Sequence, residues 1–292
     1  MGKTQDYIRY LREDRLKDLA ELPALKKLLE IIITDSEQRY QFEIRQNEFT
    51  VYYNGGKLST FKKDRSGNYT TNFDIDYCDN QGKESVNRQK IESIGNNDID
   101  SFVSNIKLYT DEMDAWFEVH PKAERANQQK ICKKFRKPNE ILWLLDIEFE
   151  VKGSRFDMIG VDNDGNVKII ELKVGNDAIS SKPKCGSDKL KSGLYKHYLD
   201  FLALKQNEKW CRAVIETAKN NITIRKKLGL PTFEGELNTS LQSIQFEIWL
   251  ADYSEKGIVL SRELDDIKAT GGTEEMIKIN PPYLSDIKKK YR

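Results

Sequence analysis

The chain has 292 residues, which is long enough for a sizeable core and predicts two structural units. Its 48 Lys and Arg residues nearly balance 47 Asp and Glu residues, so overall charge does not indicate a nucleic-acid partner, and a polyanion site would need local clustering. The cysteines at 78, 132, 185 and 211 form no C-x-x-C pair, which argues against a zinc ribbon or a disulfide framework and favours a reducing compartment.

The chain begins with the charged stretch MGKTQDYIRYLREDRLKDL, which has no apolar signal-peptide core. No apolar run approaches the ~20 residues that a membrane-spanning helix needs. We therefore expect a cytoplasmic protein without a membrane partner.

The first third of the chain combines helices with a small antiparallel sheet. Residues 5–34 have helical spacing, interrupted at Leu22-Pro23 because proline rarely continues a helix. Alternation of apolar and polar residues then predicts a meander of four strands at 40–46, 47–54, 57–63 and 69–77. Residues 81–97 are polar and fit a loop or short helix. We predict an accessory or partner-binding α+β domain over residues 1–97.

The second part of the chain, residues 98–292, has a different order of elements. Asp98 is placed to cap a helix that runs to about Glu118. Further predicted elements are helices at 121–135, 187–204 and 208–228, and strands at 141–151, 155–162, 167–174 and 244–252. In the tail, short helices are expected at 261–270 and 282–291.

Two of these strands form a hairpin whose turn can close in two ways. Residues 155–175 read RFDMIGVDNDGNVKIIELKVG. The turn can close as a two-residue Asp-Gly loop, or as a three-residue Asn-Asp-Gly loop in which Gly165 takes the left-handed conformation of a bulge. The two loops differ by one residue in register, and such a shift moves side chains to the other face of the sheet.

The choice of loop decides whether the hairpin carboxylates meet. A two-residue loop places Asp157 opposite Leu172, on the face away from Glu171. A three-residue loop makes Val161 face Val167 and Asp157 face Glu171. We expect the three-residue loop.

Charged residues in this apolar hairpin need an explanation. Asp157 and Glu171, opposed on a buried strand pair, would repel each other, and leaving them unpaired would be costly. A divalent cation removes the repulsion, since carboxylate oxygens with a carbonyl and waters are the ligands that Mg²⁺ prefers. Lys173, two residues after Glu171, would share its face and could hold an attacking water or a phosphate oxygen.

The order of a helix, three strands with D-x(13)-E-x-K across the hairpin, a helix and a strand resembles the PD-(D/E)xK nuclease superfamily. That superfamily includes restriction endonucleases, resolvases and RecB-type nucleases. The resemblance covers about residues 116–252, and Phe156 stands where the motif name has proline. The stretches DIEFEV, RFDMI, ELKVG and SGLYKHYLDF resemble a bacterial branch. The resemblance implies a restriction-endonuclease-like α-β-β-β-α-β core with a mixed sheet flanked by helices.

The resemblance also implies roles for particular residues. Asp157 and Glu171 would bind Mg²⁺, for which Mn²⁺ is expected to substitute, and the backbone carbonyl of Leu172 would add a ligand. Lys173 would orient the nucleophile. Glu124, in the helix before the hairpin, would complete the outer shell of the site.

Basic residues after the hairpin are candidates for phosphate binding. By resemblance, Lys196 or His197 would meet a phosphate. Lysines cluster in and after the loop that follows the third strand, at positions 182, 184, 189, 191 and 196. Of these, Lys189 and Lys191 are expected, with Lys196, to grip a phosphate backbone.

The expected function is therefore metal-dependent hydrolysis of phosphodiester bonds in DNA, and family association suggests defence or repair. Nothing in the chain excludes RNA, or a homodimer or protein partner bound through the N-terminal domain. One alternative is a nuclease-like fold that only binds nucleic acid or protein. Another is an ordinary structural hairpin, which predicts that Asp157 and Glu171 point to solvent on different faces.

Overall fold

The structure is a computed structural model that describes residues 7–80, 83–120, 123–137, 141–151, 153–176, 179–183, 187–254 and 258–287, with only the backbone at 80 and 123–125. Packing divides the chain into two compact units. Among the described residues, the first unit contains 8–129 and 220–232, and the second unit contains Tyr7, 130–219 and 233–287. No helix in the described ranges is both long and apolar enough to cross a lipid bilayer.

This division differs from the boundary predicted at residue 97. Helices after that position pack against earlier elements, and the segment 220–232 returns to the first unit much later in the chain. A single sequence reports local periodicity, and it carries no signal for such long-range packing.

The first unit holds a four-stranded antiparallel sheet in the order β1-β2-β3-β4, with a separate two-stranded ribbon formed by β5 and β6. Its elements are α1 (Glu13–Glu21), α2 (Pro23–Thr34), β1 (Tyr40–Ile44), β2 (Phe49–Tyr53), β3 (Gly56–Lys63), β4 (Tyr69–Thr70), β5 (Asp79–Asn80), β6 (Lys83–Glu84), α3 (Arg88–Ile94), α4 (Ile99–Ser104) and α5 (Ile106–Val119). Its core contains aromatic rings from successive strands. Phe49 stacks on Phe42 at 4.9 Å and on Phe61 at 4.8 Å between ring centroids.

Two predictions in this unit need correction. The fourth strand was expected over 69–77, but β4 is much shorter, because a 3-10 helix begins after Asp74, whose side chain accepts the backbone N–H of Asp76 at 3.2 Å. The helix expected from Asp98 to about residue 118 is interrupted at Asn105 and forms α4 and α5. The predicted cap is confirmed, since Asp98 accepts the N–H of Ser101 at 2.9 Å.

The second unit holds a mixed five-stranded sheet in the order β11-β10-β9-β8-β7. Its elements are the end of α6 (Ala123–Phe135), β7 (Leu142–Val151), β8 (Ser154–Asp162), β9 (Val167–Val174), α7 (Leu194–Lys205), most of α8 (Glu208–Lys227), β10 (Gln245–Ala251), α9 (Ile258–Ala269) and β11 (Ile277–Ile279). Strands β7, β8 and β9 are antiparallel neighbours, and β10 runs parallel to both β9 and β11.

Helices cover both faces of this sheet. Phe201 of α7 stacks on Phe246 at 4.9 Å, whereas Phe135 of α6 contacts Trp249 at 5.4 Å between ring centroids. Phe246 and Trp249 lie three residues apart in β10, so their side chains point to opposite faces. The fold therefore belongs to the mixed α and β class.

The predicted strands of this unit are confirmed to within one residue at each end. Helix α7, expected from residue 187, begins only at Leu194, and β11 was not predicted. The expected helix at 261–270 corresponds to α9, which begins earlier, at Ile258, and ends at Ala269. At 282–291 the structure has a short 3-10 helix, Pro282–Leu284, and residues 288–292 lie outside the described part of the chain.

Candidate active site

The β8–β9 hairpin closes through the three-residue loop that we predicted. Val161 pairs with Val167, and Asp162 donates its N–H to the carbonyl of Asn166 at 3.1 Å. Gly165 adopts a φ of +80°, and a Cβ at this position would lie 2.1 Å from the carbonyl oxygen of Glu236. Both the left-handed backbone and this close approach require glycine.

The register that follows brings the two hairpin carboxylates together. The strand pairing extends from Val161 to Met158, which faces Ile170, so the next position places Asp157 beside Glu171 on one face. Asp157 accepts the backbone N–H of Leu172 at 2.8 Å through Oδ2. Glu171 is only 2% exposed. The prediction from the ordinary-hairpin alternative, that both carboxylates point to solvent on different faces, is therefore wrong.

Glu171 is surrounded by basic groups. Its Oε1 lies 2.6 Å from Nζ of Lys173 and 3.0 Å from Nε2 of His197, which helix α7 carries. Burial raises the pKa of the Glu171 carboxyl, but the hydrogen bond from His197 and the charge of Lys173 lower it more, so that the pKa lies below its ordinary value. Glu171 is therefore ionised at neutral pH.

The polar atoms of Glu171, Lys173 and His197 lie within hydrogen-bonding distance of one another. Lys173 Nζ lies 3.1 Å from the same His197 Nε2 that approaches Glu171. Because one imidazole nitrogen cannot accept from Lys173 and donate to Glu171 at once, only one of these two contacts is a hydrogen bond in a given tautomer. His197 is buried, and its Nδ1 has no hydrogen-bond partner among the described residues.

A second oxygen of Glu171 is free to bind a ligand. Oε2 is buried and has no hydrogen-bond partner in the described part of the chain. Asp157 is half-buried beside it, and Leu172, which follows Glu171 in the chain, donates its backbone N–H to Asp157. These oxygen donors fit the chemistry of Mg²⁺. No cluster of three or more His, Cys, Asp or Glu side chains in the described ranges is arranged to hold a metal ion, and the predicted ligand set contains only two carboxylates.

The remaining predicted residues are placed differently. Lys196 makes an ion pair with Asp200 one helical turn further along α7, so its ammonium is already engaged. Lys189 and Lys191 are exposed on the segment before α7. Glu124 lies in α6, and its side chain is outside the described part of the chain. Of the basic residues predicted to meet phosphate, the structure brings His197 into contact with Glu171 and Lys173.

Two acidic residues near the site were not assigned a role from the sequence. Glu148 lies in β7 and has a left-handed φ of 54°. Ile147 pairs with Met158 and Phe149 with Phe156, so Glu148 faces Asp157 across the two strands. A left-handed conformation at a non-glycine residue is the signal that marks this position, and it is visible only in the structure.

The second acidic residue, Glu263 of α9, anchors the helix that carries His197. Glu263 is 1% exposed, and it accepts the N–H of Ser181 at 2.8 Å and the N–H of Tyr195 at 3.1 Å. Its carboxylate thus binds both the loop after β9 and the first turn of α7, where a negative charge is favourable. The contacts span 82 and 68 residues, so sequence spacing gave no signal for them.

Comparison with models of known protein families, with curated proteins and with solved structures finds no match for this chain.

Proposed function

We propose that the chain is a Mg²⁺-dependent nuclease that hydrolyses phosphodiester bonds in DNA. The observation that carries the proposal is the position of Asp157, Glu171 and Lys173 on adjacent strands, with a buried oxygen on Glu171 that has no hydrogen-bond partner among the described residues. Most buried carboxylate oxygens in structural ion pairs are hydrogen-bonded.

The architecture of the second unit supports the same proposal. The antiparallel strands β7 to β9 are followed by helices and by β10, which runs parallel to β9. This order and these directions are those expected for a restriction-endonuclease-like core. The three site residues all lie on β8 and β9, near the middle of the sheet, where rigid strands fix their positions.

In the proposed reaction, water attacks the phosphorus atom and the phosphodiester bond breaks. Asp157, Glu171 and the carbonyl of Leu172 would hold the metal ion, which when bound polarises the phosphate and acidifies water. Lys173 orients the attacking water and stabilises the charge that develops on the phosphate oxygens. His197 contacts both Glu171 and Lys173. In the proposed reaction it keeps the ammonium of Lys173 in position beside the carboxylate.

The substrate would reach this site past exposed lysines. Lys182, Lys189 and Lys191 are exposed on the segment between β9 and α7. Such ammonium groups bind phosphates without sequence preference and make binding dependent on salt. A role for this segment in DNA binding, and a role in defence or repair, are parts of the proposal.

The test is a cleavage assay on supercoiled plasmid, linear duplex, single-stranded DNA and RNA, each with Mg²⁺, Mn²⁺ or EDTA. We expect cleavage of DNA with either metal, none in EDTA, and a loss of about a hundredfold or more in Asp157→Asn and Lys173→Met. Asp265→Asn and Lys219→Met, at exposed positions of the second unit, serve as matched controls and should keep full activity.

Cleavage that survives in Asp157→Asn would refute the assigned site. If the wild type binds DNA but cuts no substrate in either metal, the alternative of a nuclease-like binding module replaces the enzyme. Cutting of RNA alone would keep the site and change the substrate.

A further inference from the structure

A second cleft lies on the sheet face opposite the candidate active site. It has a volume of about 330 Å³ and is lined by side chains of the second unit, among them Lys168, Glu247 and Trp249. Lys168 is three residues before Glu171 in β9, and Trp249 pairs with Leu172, so these side chains point away from the face that carries Glu171. The cleft is therefore separate from the site proposed above.

One wall of the cleft is aromatic. Trp249 lies 5.2 Å from Tyr283 and 5.4 Å from Phe135 between ring centroids, and Tyr283 is also 5.4 Å from Phe135. Tyr283 is half-buried and offers ring surface to the cleft. At the edge, Ile141 is 72% exposed, an unusual amount for an isoleucine beside a packed aromatic cluster. This surface suits a flat, apolar ring.

The floor of the cleft is polar and held in place. Glu247 accepts from Nζ of Lys168 at 2.6 Å and from Nε1 of Trp249 at 2.8 Å, so both carboxylate oxygens are engaged. Lys168 lies 3.7 Å from Asp162 as well. Burial and the charge of Glu247 raise the pKa of Tyr283 to about 12, which keeps its hydroxyl protonated as a donor.

One cation of the cleft, Lys278, has no carboxylate partner in the part of the chain that the structure describes. Lys278 of β11 donates to the carbonyl of Glu275 at 2.7 Å, and it forms no ion pair within the described residues. Lys168, in contrast, is neutralised by Glu247 and Asp162. The cleft thus combines an aromatic wall, fixed polar groups and one uncompensated ammonium, which favours a planar ring attached to an anionic group.

We propose that this cleft binds a nucleotide, with the base against the half-buried ring of Tyr283, which packs on the buried Trp249, and the phosphate near Lys278. Aromatic side chains bind every base through its π-face, which makes such a site tolerant of base identity. Because the cleft is on the other face of the sheet, a nucleotide bound there does not compete with a substrate at Asp157 and Glu171. Its binding does not depend on the proposed nuclease activity.

The test is calorimetric titration of the full chain, in EDTA, with AMP, GMP, CMP and UMP and with the matching nucleosides. EDTA prevents metal-dependent cleavage, so failure here is distinct from failure of the nuclease proposal. We expect mononucleotides to bind and nucleosides to bind at least about threefold more weakly, because the latter lack the contact with Lys278. If a single-stranded DNA oligonucleotide displaces the mononucleotide, the base that the cleft binds belongs to a DNA strand.

Variants then locate the binding. Ile141→Glu, at an exposed edge of the cleft, should weaken mononucleotide binding about tenfold or more, whereas Ile258→Glu, 88% exposed on α9 and away from the cleft, should leave it unchanged. Lys278→Ala should remove the advantage of nucleotides over nucleosides. Absence of mononucleotide binding up to the millimolar range, or binding unaffected by both Ile141→Glu and Lys278→Ala, would overturn the proposal.

Discussion

The contact between Glu171 and Lys173 predicts strong energetic coupling, which a double-mutant cycle can measure. The side chains are 3% and 11% exposed and their charged atoms lie 2.6 Å apart. Lys173→Met leaves a buried carboxylate with His197 as its remaining basic neighbour, so we expect a loss of about 3 kcal/mol in the free energy of unfolding. Glu171→Gln should lower the free energy of unfolding by about 1 to 2 kcal/mol, because the long side chain of Lys173 can turn its unpaired ammonium towards water.

The double variant should lose much less than the sum of the two single losses. Once the carboxylate is gone, removing Lys173 no longer leaves an uncompensated charge, and we expect a coupling of about 2 kcal/mol. Urea unfolding followed by tryptophan fluorescence measures it, since Trp143, Trp210 and Trp249 belong to the unit that holds the pair.

A matched control is the exposed pair Glu208 and Arg212 in α8, whose side chains are 65% and 66% exposed. The double-mutant cycle for this pair should give a coupling free energy of only about 0.3 to 0.5 kcal/mol. If the losses at Glu171 and Lys173 add within about 0.5 kcal/mol, the pair is not coupled and the reasoning from burial and distance fails.

Three further outcomes can be checked. Gly165→Ala should lower the free energy of unfolding by more than about 2 kcal/mol, whereas Gly153→Ala, also left-handed (φ +82°) but with open space around it, should cost about 1 kcal/mol in the same urea titration. Glu263→Ala should accelerate amide hydrogen exchange at the start of α7, measured by mass spectrometry, and unchanged exchange would contradict its anchoring role. Because the pKa of Glu171 is lowered in the folded chain, its contribution to stability is complete above the unfolded pKa and is lost as pH falls through the folded pKa. His197→Gln should reduce this loss of stability between about pH 5 and pH 3. An acid titration of stability identical to that of the wild type would refute the contact between His197 and Glu171.

The hairpin shows how much the sequence can predict when local chemistry decides the structure. Its turn residues allowed two loops, and the three-residue loop with Gly165 in the left-handed region is the one that forms. Glycine, strand alternation and the spacing of Asp157 and Glu171 were enough to expect both carboxylates on one face. All of this information lies within a short segment.

Other parts of the site depend on contacts that local patterns do not encode. The sequence offered Lys196 and His197 as equal candidates, and the orientation of α7 decided that only His197 reaches Glu171. The late start of that helix, at Leu194, follows from a loop held by Glu263, which is far away in sequence. Tertiary packing overrides helical periodicity at such positions.

The anchoring carboxylate on α9 also determines when the site can form during synthesis. The hairpin residues and His197 leave the ribosome long before Glu263, yet the first turn of α7 and the preceding loop have their backbone amides bound by Glu263. Because domains fold as the chain emerges, a nascent chain that ends before α9 carries the hairpin charges without the group that fixes His197. Completion of the site is thus delayed until α9 has been made, and a nascent chain that stops before Glu263 cannot form these anchoring contacts.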